Sequence, residues 1–195
     1  TESDVVDELP RYEQACEKTA SDLRGLYKKV ATQVGPEEAD IFRTHETILR
    51  DPAFTTKVHQ AIVDDRLTAQ AALDGVLSGY AKLLAQTDDA YLRERVADLR
   101  DVGVRLSGHL SEVLQPGVAS LPGPLILVTD ELLPSHAVTL GDQEVSGIVT
   151  QSGGRTSHAA ILARSRGIPA ISGLPGIMRM IRTGDTVIVD GREGK

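Results

Sequence analysis

The periodicity of this chain changes once, and that change limits what it can fold into. Up to Leu114 the apolar residues recur at helical spacing, but at Gln115-Pro116-Gly117 the pattern stops, and Pro122-Gly123-Pro124 repeats the break. Beyond it, short β-branched runs alternate with turns. One layer of helices cannot carry both patterns. The expectation is an all-α bundle over residues 1-114 and an α/β domain over residues 115-195.

Leu9, Tyr12, Cys16, Thr19, Leu23, Leu26 and Val30 share one helical stripe, which predicts a long amphipathic helix ended by Gly35-Pro36. Pro36-Glu37-Glu38 then opens a second helix, because proline suits the first helical position and carboxylates suit the positive end of the helix dipole. Asp51-Pro52 restarts the chain, and helical patterns follow over residues 54–63, 68–85 and 88–114. Tyr80, Leu83 and Leu84 read most simply as core, and Cys16 as packing. In the second part, strands are expected at 125–129, 145–150, 170–172 and 186–190, with helices at 157–166 and 177–181.

Composition narrows the class. A formal net charge of -7 over 195 residues argues against a general nucleic-acid binder, and it serves either solubility or attraction of a basic protein partner. One cysteine excludes an internal disulfide framework and suits a reducing cytosol. No apolar run is long enough to cross a bilayer, so no membrane partner and a cytoplasmic location are expected. Thr1 is not an initiator methionine, and the chain stops just after a strand-like run, which suggests a segment of something longer.

The residues with the clearest chemistry are Gly153-Gly154-Arg155-Thr156-Ser157-His158, followed by the apolar helical run Ala159-Ala160-Ile161-Leu162-Ala163-Arg164. Glycines let backbone N–H groups approach an anion, and a helix N-terminus adds unpaired donors and a positive dipole end. Arg155 supplies a guanidinium fork, and Thr156 or Ser157 a hydroxyl or a cap. His158 is the nucleophile of this set, since neutral imidazole offers a nitrogen lone pair near neutral pH. A Walker-type loop fits poorly, because no Gly-Lys-Ser/Thr ending is present. His59 and His109 stand apart from any paired-His or Cys spacing, and no metal site is expected.

Together with Gly167-Ile168-Pro169-Ala170-Ile171-Ser172-Gly173, this stretch resembles the swivelling phosphohistidine domain of the PEP-utilising enzymes: enzyme I of the bacterial sugar phosphotransferase system, pyruvate phosphate dikinase and PEP synthase. Two helical segments favour enzyme I. Residues 91–106 look like the last long helix of its helical subdomain, and Phe42-Arg43-Thr44-His45 with Ile48-Leu49-Arg50-Asp51 looks like its partner-binding helix. The resemblance covers nearly the whole chain.

It implies a β/β/α swivelling phosphohistidine domain with a helical-bundle subdomain. His158 would take a phosphoryl group from phosphoenolpyruvate and pass it to HPr, the phosphocarrier, with Gly153, Gly154, Arg155, Thr156 and Ser157 holding phosphate. Glu37, Glu38, His45, Asp51, Arg95 and Arg100 would face HPr, although an ordinary solvated helix face explains the same charges. In that family phosphoenolpyruvate and magnesium bind a separate C-terminal barrel of the same full-length chain. No cofactor is therefore expected on these residues, and no self-labelling from phosphoenolpyruvate alone. The family's first strand precedes its helices; none is visible before Asp4, so it is missing or supplied differently. Many members have threonine at the position of Leu133, where its hydroxyl can hold the histidine. Leucine cannot, which keeps open a regulatory module that binds a partner without transfer. Leu132-Leu133-Pro134-Ser135-His136 either approaches the histidine or forms a surface turn. A dikinase central domain is the further alternative, and a hinge is expected near residues 114–123.

Overall fold

The computed structural model describes residues 2–85, 90–111, 124–140, 145–154, 157–192 and 194. The Pro/Gly break and hinge expected at 114–123, like Arg155 and Thr156, lie almost wholly or wholly outside these residues. The chain divides into two compact units, Thr1–Lys29 with Ala39–Gly117 and Val30–Glu38 with Val118–Lys195.

Among the described residues, five helices account for the first part of the chain: α1 (Glu2–Gln33), α2 (Pro36–Leu49), α3 (Pro52–Val63), α4 (Ala69–Ala85) and α5 (Ala90–Leu110). Their ends follow the local chemistry. Asp51 caps α3 by accepting a hydrogen bond from the Phe54 N–H at 3.0 Å, with Pro52 in the first turn. Thr68 accepts from the Ala71 N–H at 3.2 Å at the start of α4, and Glu8 of α1 accepts from the Ala69 N–H at 2.6 Å. The apolar stripes meet in a core that includes Tyr12, Leu23, Phe42, Leu49, Phe54, Ile62, Leu73, Leu106 and Leu110. Cys16 is half-buried there beside Tyr12. Tyr80 is half-buried against Phe54, with ring centroids 6.3 Å apart, but Leu83 is 65% exposed. The expectation that Leu83 is core is therefore corrected: it continues the line of Ala69, Ala72, Val76 and Tyr80, but burial falls off along α4 towards its carboxyl end. The side chain of Leu84 lies outside the described residues.

Among the described residues, the second unit is built on a three-stranded parallel sheet in the order β1 (Leu125–Thr129), β2 (Val145–Thr150), β3 (Ala170–Ile171). Parallel neighbours need crossovers, and α6 (Pro134–Thr139) and α7 (His158–Ser165) supply them. Leu140, Val145, Ile148 and Ala163 form the core beneath them, with Leu127, Leu132 and Ile168 at its margin. The Arg166 guanidinium donates to the Val138 carbonyl at 2.9 Å, tying the end of α7 to α6. A short helix, α8 (Ile177–Met180), follows β3.

The strand expected at 186–190 is not hydrogen-bonded into the sheet. Its alternation survives, with Val187 and Val189 half-buried and Ile188 91% exposed, and Val189 lies against Gly147. An alternating segment becomes a strand only when a neighbour takes up its backbone donors and acceptors. Among the described residues no strand pairs with this segment.

Candidate functional site

All strands of a parallel sheet present their carboxyl ends on one side, and the loops that leave those ends form the usual binding edge of such a fold. In this unit those loops begin at Asp130, Gln151 and Ser172. The second carries the glycine–histidine stretch.

The path of that loop is determined residue by residue. Gln151 continues the β1–β2 ladder through its N–H to the Thr129 carbonyl at 3.1 Å, and the Ser152 N–H and hydroxyl both donate to the Asp130 carbonyl, at 2.7 and 2.9 Å. The chain then turns at Gly153, whose φ of 102° lies in the region that side chains disfavour. Ser157 ends the loop as the N-cap of α7. Its N–H donates to the Gly154 carbonyl at 3.2 Å, and its side-chain oxygen accepts from the Ala160 N–H at 3.2 Å.

His158 is the first residue of α7, and it is exposed. The helix seats Ala159, Leu162 and Ala163 in the core, so the imidazole is carried on a buried base and held out to solvent. Its first-turn N–H groups have no carbonyl one turn earlier inside the helix, and the aligned peptide dipoles put partial positive charge there. The Ser157 oxygen is committed as an acceptor, which leaves its hydroxyl proton for an outside oxygen. An exposed imidazole beside open donors can take up and release an anionic group. Gly153 and Gly154 are likewise exposed.

Leu132-Leu133-Pro134-Ser135-His136 is not a surface turn. Pro134 opens α6, Leu133 and Ser135 are buried, and Leu133 caps the helix without a side-chain hydrogen bond. The Leu133 side chain thus contributes apolar packing and no polar contact.

The residues expected to face a partner are placed unevenly. Glu37 and Glu38 occupy the first turn of α2, exposed and half-buried respectively. Asp51 is exposed but serves as the α3 cap, and Arg100 is exposed on α5. Arg95 is half-exposed and pairs with Asp98 at 3.5 Å. His45 does not fit the expectation. It is 0% exposed, with Nε2 3.3 Å from an Asp98 oxygen, Nδ1 3.8 Å from an Asp101 oxygen, and its ring edge-on to Phe42 at 5.8 Å. A wholly covered ring gives a partner nothing to touch, so His45 is corrected from a docking residue to a buried link between α2 and α5. Sequence reading missed Asp101, although Asp98 and Asp101 stand three apart on one face of α5. It also missed Gln151, whose only signal was its place directly after β2. The side chain of Arg93 lies outside the described residues.

His109 and Arg105 of α5 both reach Asp22 of α1, at 2.8 and 3.3 Å, and His59 packs edge-on to Tyr12 at 5.5 Å. No group of three His, Cys, Asp or Glu among the described residues is placed to hold a metal ion. No described helix is long and apolar enough to cross a membrane.

Residues 1–95 match the family described as PEP-utilising enzyme, N-terminal, and residues 121–194 match PEP-utilising enzyme, mobile domain. The phosphoenolpyruvate-protein phosphotransferase of Latilactobacillus sakei is 40% identical over 195 residues, 100% of this chain and 34% of that protein. Its namesake from Mycoplasma capricolum is 38% identical over 192 residues, 98% of this chain and 34% of that protein. The chain thus spans about a third of the length of the curated relatives it matches. Among solved structures, the NMR solution structure of Enzyme I (nEIt) is 36% identical with a TM-score of 0.69, over 100% of this chain and 78% of that one. The N-terminal domain of Enzyme 1 - Nitrogen is 34% identical with a TM-score of 0.61, over 87% and 69%.

Proposed function

Since this chain belongs to the PEP-utilising enzymes, with the fold of the enzyme I N-terminal region, a helical subdomain and an α/β phosphohistidine domain, we propose that His158 is a phosphoryl relay. The observation that carries this reading is the exposed imidazole at the capped N-terminus of α7, five residues after the turn at Gly153. In the forward direction the His158 ring attacks the phosphorus of phosphoenolpyruvate. A nitrogen–phosphorus bond forms, the bridging oxygen–phosphorus bond breaks, and pyruvate leaves as its enolate. A histidine of an HPr-type carrier then attacks the same phosphorus, and the His158 ring departs with its lone pair restored.

Neither displacement asks the protein for a proton on phosphorus; each asks for alignment and for charge around the transferring group. The α7 N-terminus, the Ser157 hydroxyl and the Gly153-Gly154 backbone supply the latter, and we assign Arg155 and Thr156 to the same task from their place in sequence. Phosphoenolpyruvate and magnesium belong, on this reading, to the barrel that follows in full-length enzyme I. The described residues hold no three-ligand cluster that fits the ion. On this reading Asp51, Arg95 and Arg100 of the first unit and, separately, Glu37 and Glu38 of the second serve the carrier, and His45 does not. A reducing cytoplasm suits the lone Cys16.

Phosphorylated HPr and phosphoenolpyruvate, each carrying labelled phosphorus, separate the parts of this reading. The chain acquires acid-labile label from phospho-HPr, and from phosphoenolpyruvate only when the barrel is present. His158→Ala abolishes both. Label persisting in that variant would overturn the assignment, and HPr binding with no transfer would make the chain a regulatory partner module instead.

A further inference from the structure

The side chain of Gln151 touches all three loops at the carboxyl edge of the sheet. It leaves β2 at the root of the His158 loop, its Nε2 donates to Asp130 Oδ1 at 2.8 Å in the loop after β1, and its Oε1 accepts from the Gly176 N–H at 3.0 Å in the loop after β3. Both partners are single-minded. A carboxylate only accepts and a backbone N–H only donates, so the carboxamide has one orientation that satisfies both. The neighbouring backbone bonds run the same way: the Ser152 N–H to the Asp130 carbonyl at 2.7 Å, and the Leu174 N–H to the Thr150 carbonyl at 3.1 Å. Gly153, where the loop turns with φ 102°, comes two residues after this brace.

We propose that Gln151 is a positioning residue for phosphoryl transfer at His158, its carboxamide clamping the root of the histidine loop between the loops that follow β1 and β3. An in-line displacement tolerates little misalignment, and an exposed nucleophile has few neighbours to aim it. The loop spans from the end of β2 to the Ser157 cap, and each end has its own restraint: the cap at one, the Gln151 brace at the other. Touching neither the ring nor the donor, Gln151 acts through the backbone it holds.

The polarity of the brace supplies its test, which rests on the relay reading above. Gln151→Glu sets two carboxylates against each other, whereas Gln151→Glu with Asp130→Asn restores a donor–acceptor pair of reversed sense, because the new amide donates and the new carboxylate accepts from both sides. With labelled phospho-HPr as donor, Gln151→Glu lowers the maximal rate of His158 labelling about tenfold, about the value of one lost hydrogen bond, at unchanged KM for the carrier. The double variant recovers to within about threefold. Gln151→Leu, which has no polar end, loses the rate and is not rescued by Asp130→Asn. Single variants labelled at the wild-type rate, or a double variant no faster than Gln151→Glu, would overturn the inference; a double variant that regains both fold and rate supports it even where Gln151→Glu does not fold. Failure of the wild-type chain to take label sinks the relay reading instead, so the two failures are distinguishable.

Discussion

Replacing Ser157 separates two roles that this residue combines. Its oxygen accepts the Ala160 N–H at 3.2 Å, and α7 is only 8 residues long, so the cap secures a large share of the helix. Ser157→Ala removes that acceptor at a cost of about 1 kcal/mol, roughly a fivefold loss of protection against amide exchange if the helix opens locally. Ser157→Asp keeps a capping oxygen and adds a negative charge where the dipole favours one, so protection is retained. The incoming phosphoryl group, however, carries about 1.5 to 2 negative charges. At roughly 5 Å the repulsion with one carboxylate is about 1 kcal/mol under full solvent screening and about 5 kcal/mol at an effective dielectric near 20. Transfer to His158 therefore falls tenfold or more in Ser157→Asp, while Ser157→Ala loses exchange protection and transfers more slowly by a smaller factor. Hydrogen exchange over residues 159–163 and labelling from phospho-HPr measure the two effects on the same samples. Equal transfer by Ser157→Asp and wild type would refute the placement of the phosphoryl group at this helix end.

Two further outcomes follow from the helical unit. Removing the His45 ring takes from Asp98 its buried partner, so His45→Ala lowers unfolding stability by about 3 kcal/mol in urea titration, whereas Arg95→Gln, which loses a half-exposed ion pair, costs about 0.5 kcal/mol. A His45→Ala chain as stable as wild type would contradict the buried link. The Cys16 thiol is pushed up from 9.0 to about 11, chiefly by burial. Its protonated form is the one the fold favours, so this contribution to stability is complete below about pH 9 and is lost as pH rises through 11. Iodoacetamide at pH 8 accordingly modifies Cys16 far more slowly in the folded chain than in urea; equal rates would refute the burial argument.

Where backbone and side chain agree locally, the elements are legible in the sequence. Asp51-Pro52 marks the start of α3 because both its cap and its fixed proline φ act within a few residues, and residues 125–129 form β1 as their β-branched pattern requires. The misreadings involve distant neighbours. Helical spacing puts His45 on α2 but cannot say that Asp98 and Asp101 of α5 will close over it, and the alternation at 186–190 cannot supply the strand that would pair with it. α6 went unread for a different reason: it has only 6 residues, and Leu133 offers no side-chain cap to announce it. Within the candidate site, the turn at Gly153 and the Ser157 cap ahead of His158 are legible because their signals are contiguous in sequence. Gln151 is not, since its two partners lie 21 and 25 residues away and meet it only when the three strands align.

That contrast bears on how a relay histidine has to be built. A nucleophile enclosed in a pocket is aimed by the walls around it, but one that must meet a donor and then an acceptor cannot keep such walls. On the relay reading its alignment has to come from its own chain, and two restraints are present for it: α7 seats Ala159, Leu162 and Ala163 in the core, and Gln151 ties the strand end to the loops on either side. On the relay reading proposed above, the contiguous motif would provide the chemistry and the parallel sheet the aim. A substitution outside the motif, at Gln151 or Asp130, should therefore damage transfer while leaving every residue of the glycine–histidine stretch intact.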